Sequence, residues 1–359
     1  MPDNLTFFAG KKALAIIKEE GLQPERIKVI AGAAGGPKWL VLNHLDRAIF
    51  SKWLKPRTAP LFLIGSSIGA WRFAAVATGQ PIDAIENFQT AYIHQSYQSK
   101  PSSEQISHTS AAVLDAYLND KGILEALNHP YIRLNIMAVR SKRPVSSDKK
   151  FFLTAGLAAA FAANFMFRNL LKYFFERALF YDPRHLPPFF NMDQFPITKT
   201  PLSKDNIKQA LLASGSIPLV MSGVKNIPQA LQGMYRDGGI LDYHPDLPFT
   251  KDDGIVLFPH YMDRIIPGWM DKKLPWRKPS RLNMNNVVLV SPSRKFIERL
   301  PYNKIPDRND FYLFKGRQRD RISYWNSVVK QSKLLGDEFL DTVQSGKIRE
   351  LVRPMTRVK

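Results

Sequence analysis

The sequence predicts a parallel-sheet α/β fold. Three observations carry that expectation: fully apolar runs of strand length recur in the first third, glycine-rich turns follow them, and helical patterns follow the turns. Residues 27–31 form the first run, apolar and β-branched. Gly32-Ala33-Ala34-Gly35-Gly36 follows, and Pro37 opens a helical pattern through Phe50. Proline suits the first helical position, where its missing N–H would have no intrahelical partner. Leu61-Phe62-Leu63-Ile64 is the second strand, apolar on both faces as in a buried parallel sheet. Gly65-Ser66-Ser67-Ile68-Gly69 turns it into a helix over residues 70–78, stopped by Gly79 and Pro81. A third unit ends at a strand over residues 131–139, with later strands expected at 254–258 and 287–290.

Composition bounds the remaining possibilities. Of 359 residues, 45% are hydrophobic, enough for a real core and too many for a disordered basic chain. Zero cysteines exclude a disulfide scaffold, a thiol nucleophile and thiolate metal sites, and lean toward a cytoplasmic location. The 51 Lys+Arg against 31 Asp+Glu leave a net charge of +20, which attracts polyanions: nucleic acid, anionic membrane or anionic substrate. Residues 1–21 read as a short amphipathic helix, without the apolar core and cleavage site of a secretory signal.

From residue 141 to 200 the composition changes, which suggests a basic and apolar cap or lid insertion. Arg140, Lys142, Arg143, Lys149 and Lys150 precede Phe151–Phe167, seventeen residues without a charge. That run is short for a membrane span; a buried core helix and an interfacial cap are the alternatives. Asn164, Arg168, Lys172 and Glu176 then recur every fourth residue, and predict an amphipathic helix over 168–180. The chain from 290 to 359 reads as a basic, mostly helical extension. Residues 251–359 alone carry 23 Lys+Arg against 12 Asp+Glu, with Trp269, Trp276, Tyr302 and Trp325 interspersed. No nucleic-acid motif accompanies them, so a nucleic-acid partner is not expected.

Ser67 is the leading chemical candidate. It stands at the centre of G-x-S-x-G, after an apolar strand and before a helix, the setting of a nucleophile elbow flanked by Gly65 and Gly69. The glycine turn at 32–36 ends at a helix start and offers free backbone amides to an anion. It is not a phosphate loop, because Trp39 follows Lys38 where Ser or Thr would be needed, and Ala34 breaks G-x-G-x-x-G. An oxyanion hole is the more economical reading, and an anion-binding regulatory module with an inert Ser67 is the alternative. For the base, His185, His244 and His260 lie far enough downstream for a triad, and Asp237 in Arg236-Asp237-Gly238-Gly239 is the other candidate.

The order of these pieces resembles the patatin-like phospholipases. A glycine-rich loop, G-x-S-x-G about thirty residues on, and a distant D-G-G are joined by two further stretches. Leu212-Ala213-Ser214-Gly215-Ser216-Ile217-Pro218 is similar to the family's A-S-x-A-x-P segment, and residues 235–245 are similar to its D-G-G-hydrophobic-x-D-N-x-P segment. The resemblance spans residues from about 28 to 245. It implies a single catalytic domain, three-layer α/β/α with a mainly parallel central sheet. It implies a serine acyl hydrolase with Ser67 as nucleophile and Asp237 as base, supported by Gly238 and Gly239, with no metal and no cofactor. Gly35, Gly36, Pro37 and Lys38 would line the oxyanion hole and bind substrate, a lipid or other acyl ester. Trp39 and Tyr243 depart from the family's Gly and Asn, and Trp39 is expected to reshape the acyl groove. With the charged cap, the implied partner is an anionic membrane surface, approached peripherally from the cytoplasm.

Overall fold

A computed structural model describes residues 4–54, 57–97, 100–250 and 252–355. Among these, eleven strands form one sheet. They are β1 (Leu5–Ala9), β2 (Ile27–Gly32), β3 (Leu61–Ser66), β4 (Ile132–Ser141), β5 (Phe175–Tyr181) and β6 (Ile197–Pro201), then β7 (Val224–Lys225), β8 (Met234–Asp237), β9 (Ile255–Pro259), β10 (Val287–Pro292) and β11 (Arg353–Pro354). The spatial order is β11-β1-β10-β9-β2-β3-β4-β5-β6, and its middle, from β10 to β4, is parallel throughout. Helices flank the sheet, which makes the α/β/α layering the sequence predicts.

The apolar runs become the central strands because they are buried on both faces: β9 and β10 have no exposed residue, and β2 has one half-buried position before its last four buried ones. The pattern after Pro37 is less regular than expected. A 3₁₀ turn (Gly36–Leu42) leads into a short α-helix (Asn43–Ala48) and a wider turn (Ile49–Trp53).

Four expectations need correction. The N-terminal stretch is a strand followed by a helix (Lys11–Glu20), because Leu5, Phe7 and Ala9 alternate inward and pair with β10; residues 1–3 lie outside the described residues. Residues 168–180 are not an amphipathic helix. A 3₁₀ turn (Arg168–Tyr173) precedes β5, which lies between β4 and β6. A spacing of four is even, so it also satisfies the two-residue period of a strand. Residues 141–200 are therefore not one inserted cap, since β5 and β6 belong to the central sheet. Nor is 290–359 an appendage: β10 and β11 are sheet strands, and Trp325 and Phe339 on its helices are fully buried. The end of that stretch, 356–359, lies outside the described residues.

The segment that does stand apart is the helix Lys150–Met166. It buries Leu153, Gly156, Leu157, Ala160 and Asn164 and turns Phe151, Phe152, Phe161, Phe165 and Met166 outward. Among the described residues no helix is long and apolar enough to cross a membrane.

Candidate active site

Strand register brings the two candidate catalytic residues together. β3 runs parallel to β4 and leaves its edge at the pair Ser66–Met137. β8 comes from the other direction, antiparallel, and ends on the next position of β4 with the pair Asp237–Ala138. The two strand ends thus meet head to head, and Ser67 lies one residue beyond the first of them. Ser67 Oγ donates to Asp237 Oδ2 at 2.9 Å, and the Gly239 amide donates to Oδ1 at 2.7 Å.

The elbow is tight. Ser67 has φ 56° and ψ −129°, a conformation that costs a non-glycine residue and that only firm surroundings hold. Gly69 allows the approach: a Cβ there would lie 2.4 Å from the Gly32 carbonyl oxygen, so any side chain would push the elbow off the glycine loop. Gly65 sits under the same turn, against the Ala70 backbone.

Ser214, in the 212–218 segment, locks the assembly. Its hydroxyl donates to the Met137 carbonyl at 2.6 Å and accepts the Ser67 amide at 2.8 Å, while its carbonyl accepts the Gly238 amide at 3.2 Å. The Asp237 amide is held by the Ser216 carbonyl at 3.0 Å. Ser214 therefore ties nucleophile, base turn and β4 to one point, a role the sequence motif did not disclose.

Gly35 and Gly36 lie beside the dyad at φ +157° and +57°, the region that favours glycine. Neither amide meets an acceptor among the described residues. The Ala34 amide does: it donates to the Tyr243 carbonyl at 2.8 Å, so Ala34 anchors the loop. Its carbonyl accepts the Tyr261 hydroxyl at 2.6 Å, and Tyr261 in turn meets His244 Nε2 at 2.8 Å. With Nδ1 of His244 accepting the Ile266 amide, Nε2 carries the proton. This buried chain from His244 through Tyr261 to Ala34 holds the glycine loop. His244 is thus no triad base, and burial, with His260 beside it, keeps it well below its usual pKa and neutral. His185 accepts from Arg133 at 2.8 Å, and His260 Nδ1 accepts the Met262 amide at 3.0 Å, so neither approaches Ser67.

A cavity of about 250 Å³ opens over the dyad. Ala34, Gly35, Gly36 and Lys38 form one wall, and Ile217 with Pro218 another. The remainder comes from the turn that carries Trp269 and Lys272, and from Asp307, Arg308 and Asn309. Pro37 is buried behind this surface and does not line it. Trp39 points away into the core, stacked on Phe88 with ring centroids 4.3 Å apart, so it does not shape the groove as expected. Tyr243, in place of the family's Asn, does line the cavity and lies under the Lys272 ammonium.

Burial pushes Asp237 up to about 6. The Gly239 amide, the Ser67 hydroxyl, and the charges of Arg308 and Lys272 pull the other way and keep the carboxylate available. The final D of the D-G-G segment, Asp242, faces the core, where Arg177 grips it with two bonds of 2.9 and 2.7 Å. It anchors the turn and takes no part in the cavity.

A family profile described as Patatin-like phospholipase matches residues 45–249, more than half of the chain. The chain belongs to the patatin-like phospholipase family. The match takes in Ser67, Ser214 and Asp237, whereas the glycine loop, Lys38, Trp269, Lys272 and Arg308 of this patatin-like chain lie outside it. Among solved structures, the crystal structure of VipD from Legionella pneumophila is similar at 12% identity and a TM-score of 0.32. The match covers 65% of this chain and 50% of that one, so the chain spans about half the length of that structure. No curated protein matches the sequence.

Proposed function

We propose that this chain is a serine lipid acyl hydrolase, of the phospholipase A or carboxylic ester hydrolase type, working through a Ser67–Asp237 dyad. The observation that carries the reading is the 2.9 Å bond from Ser67 Oγ to Asp237 Oδ2 on the floor of the cavity. Asp237 accepts the Ser67 proton as Oγ attacks the ester carbonyl. The amides of Gly35 and Gly36 face the oxyanion that forms. Collapse expels the alcohol, which takes the proton from Asp237 and leaves an acyl-Ser67 ester. Water then gives a proton to Asp237 and attacks that ester, and the proton returns to Ser67 as the acid leaves. A carboxylate of ordinary pKa is a weak base at neutral pH; one raised to about 6 is closer to the operating range.

The partner we infer for the outer face is an anionic membrane. Phe151, Phe152, Phe165, Met166 and Phe167 are exposed beside Lys149 and Lys150, a composition suited to a lipid interface. The helix that carries most of them reaches the cavity through Asp271. That carboxylate accepts Asn164 at 2.8 Å and Arg168 at 3.2 Å, in the turn that holds Trp269 and Lys272.

Hydrolysis of a p-nitrophenyl ester tests the reading. Ser67→Ala and Asp237→Asn should each remove it while far-UV circular dichroism stays native. Full activity in Asp237→Asn would overturn the dyad.

A further inference from the structure

We propose that Lys38, Lys272 and Arg308 form a subsite for a phosphomonoester, so that the ester cleaved at Ser67 carries a terminal phosphate and no ammonium headgroup. The proposal rests on the hydrolase reading and adds the substrate class. All three side chains line the cavity over the dyad, and each comes from a different part of the chain.

None of the three has a carboxylate within 4 Å among the described residues. The carboxylates nearby are already engaged: Asp237 by Ser67 and Gly239, and Asp307 by Lys304 at 3.4 Å. The cations are held in place all the same. Lys272 Nζ stands 4.0 Å from the centroid of the Tyr243 ring, and Lys38 Nζ 4.8 Å from that of Tyr261. Arg308 packs on the glycine loop so closely that a Cβ on Gly36 would lie 3.3 Å from its Cγ. Burial lowers both lysines, Lys272 to about 7, and Arg308 adds repulsion to each. Asp307 favours the charged form of Lys38 and Asp237 that of Lys272, but neither carboxylate reaches ion-pair distance of these cations. Three half-buried cations thus share a cavity without a direct partner among the described residues, and an entering anion relieves their repulsion.

The number of cations selects the anion. One guanidinium satisfies a carboxylate, and a phosphodiester brings a single negative charge. A phosphomonoester brings up to two charges and three terminal oxygens, which can engage an arginine fork and two ammonium groups at once. An ammonium headgroup would place a fourth cation among these three, which penalises zwitterionic esters. The phosphate is held and not transferred; the bond broken is the carboxylic ester. The cavity, at about 250 Å³, suits a headgroup and the reacting ester, with any long chain leaving it.

Calorimetric titration of the Ser67→Ala chain separates this proposal from the hydrolase reading, because it needs no turnover. Inorganic phosphate and glycerol 3-phosphate should bind saturably, and glycerophosphocholine at least about tenfold more weakly. Arg308→Gln and Lys272→Gln, each with a native thermal melt, should weaken phosphate by about tenfold. Absence of saturable phosphate binding, or binding unchanged in both variants, would overturn the proposal. With Ser67 intact, a butyryl ester of glycerol 3-phosphate should be cleaved with a higher kcat/KM than its phosphocholine counterpart, and Arg308→Gln should level the two. A long-chain version in detergent micelles, compared with the soluble ester, distinguishes a lipid from a soluble phosphorylated substrate. Turnover of neutral esters without phosphate preference sinks the subsite alone. Phosphate binding without turnover of any ester keeps the subsite and sinks the hydrolase.

Discussion

The floor of the cavity and its outer wall are built in opposite ways. The floor sits on strand ends: Ser67 after β3, Asp237 at the end of β8, with Ser214 tying both to β4. Ser67 and Asp237 are hydrogen-bonded there, and both lie inside the family match. The wall is made of loops and short turns. Its cations Lys38, Lys272 and Arg308 have no carboxylate within 4 Å among the described residues, and all lie outside that match. The contrast teaches a division of labour. On the proposed reading, sheet register sets the chemistry, and loops from distant parts of the chain set what enters.

Breaking the floor should have the largest effect. Ser67→Ala and Asp237→Asn should each lower kcat for ester hydrolysis by about a thousandfold or more. Asp237→Asn should also raise the melting temperature. A buried carboxylate raised to about 6 is protonated more readily in the folded chain than in the unfolded one, so it costs stability as pH rises from about 4 to 6. Above that window the cost is constant, on the order of 2–3 kcal/mol. The stabilisation in Asp237→Asn should therefore be present at pH 7 and vanish below about pH 4. In the unaltered chain, kcat/KM should fall on the acid side with a midpoint near pH 6, as the carboxylate is protonated.

The join between floor and wall comes next. Tyr261→Phe deletes the hydroxyl between His244 and the Ala34 carbonyl and leaves both buried groups short of a partner. It should loosen the glycine loop and lower kcat by about tenfold with a smaller change in KM. An equal loss of thermal stability without loss of kcat would show that the chain only supports the fold. The smallest effect is expected at the outer face. Phe151→Ser with Phe165→Ser should reduce flotation with anionic vesicles severalfold, and equal binding to neutral vesicles would remove the electrostatic part of that account.

The floor was the more legible half in the sequence. Apolar runs followed by glycine turns predicted β2 and β3, and placed Ser67 at an elbow, because a buried parallel strand and a strained turn leave local marks. Asp237 was reached through the order of the family's motifs. Its meeting with Ser67 was not visible, since it depends on which positions of β4 the two strands occupy. The role of Ser214 leaves no mark in its motif, because its hydroxyl acts on groups over seventy residues away. β5 has the pattern of a helix in the sequence because polar residues four apart fit both periods, and β1 is hidden there because its partners lie near the other end of the chain. Lys272 and Arg308 left no local signal beyond charge. Trp39 stood out by its position beside the glycine loop and proved to be core.

The net charge of +20 gains a specific place in this account. Two of its cations, Lys272 and Arg308, lie beyond the residues that the family profile matches and form part of the wall above the dyad.

Labelling with a fluorophosphonate probe, followed by peptide mapping, tests whether the Ser67 hydroxyl is an activated nucleophile. An activated hydroxyl at Ser67 should be modified one to one, with labelling lost in Ser67→Ala and strongly slowed in Asp237→Asn. A folded chain that stays unlabelled, or one labelled elsewhere and not at Ser67, would contradict it.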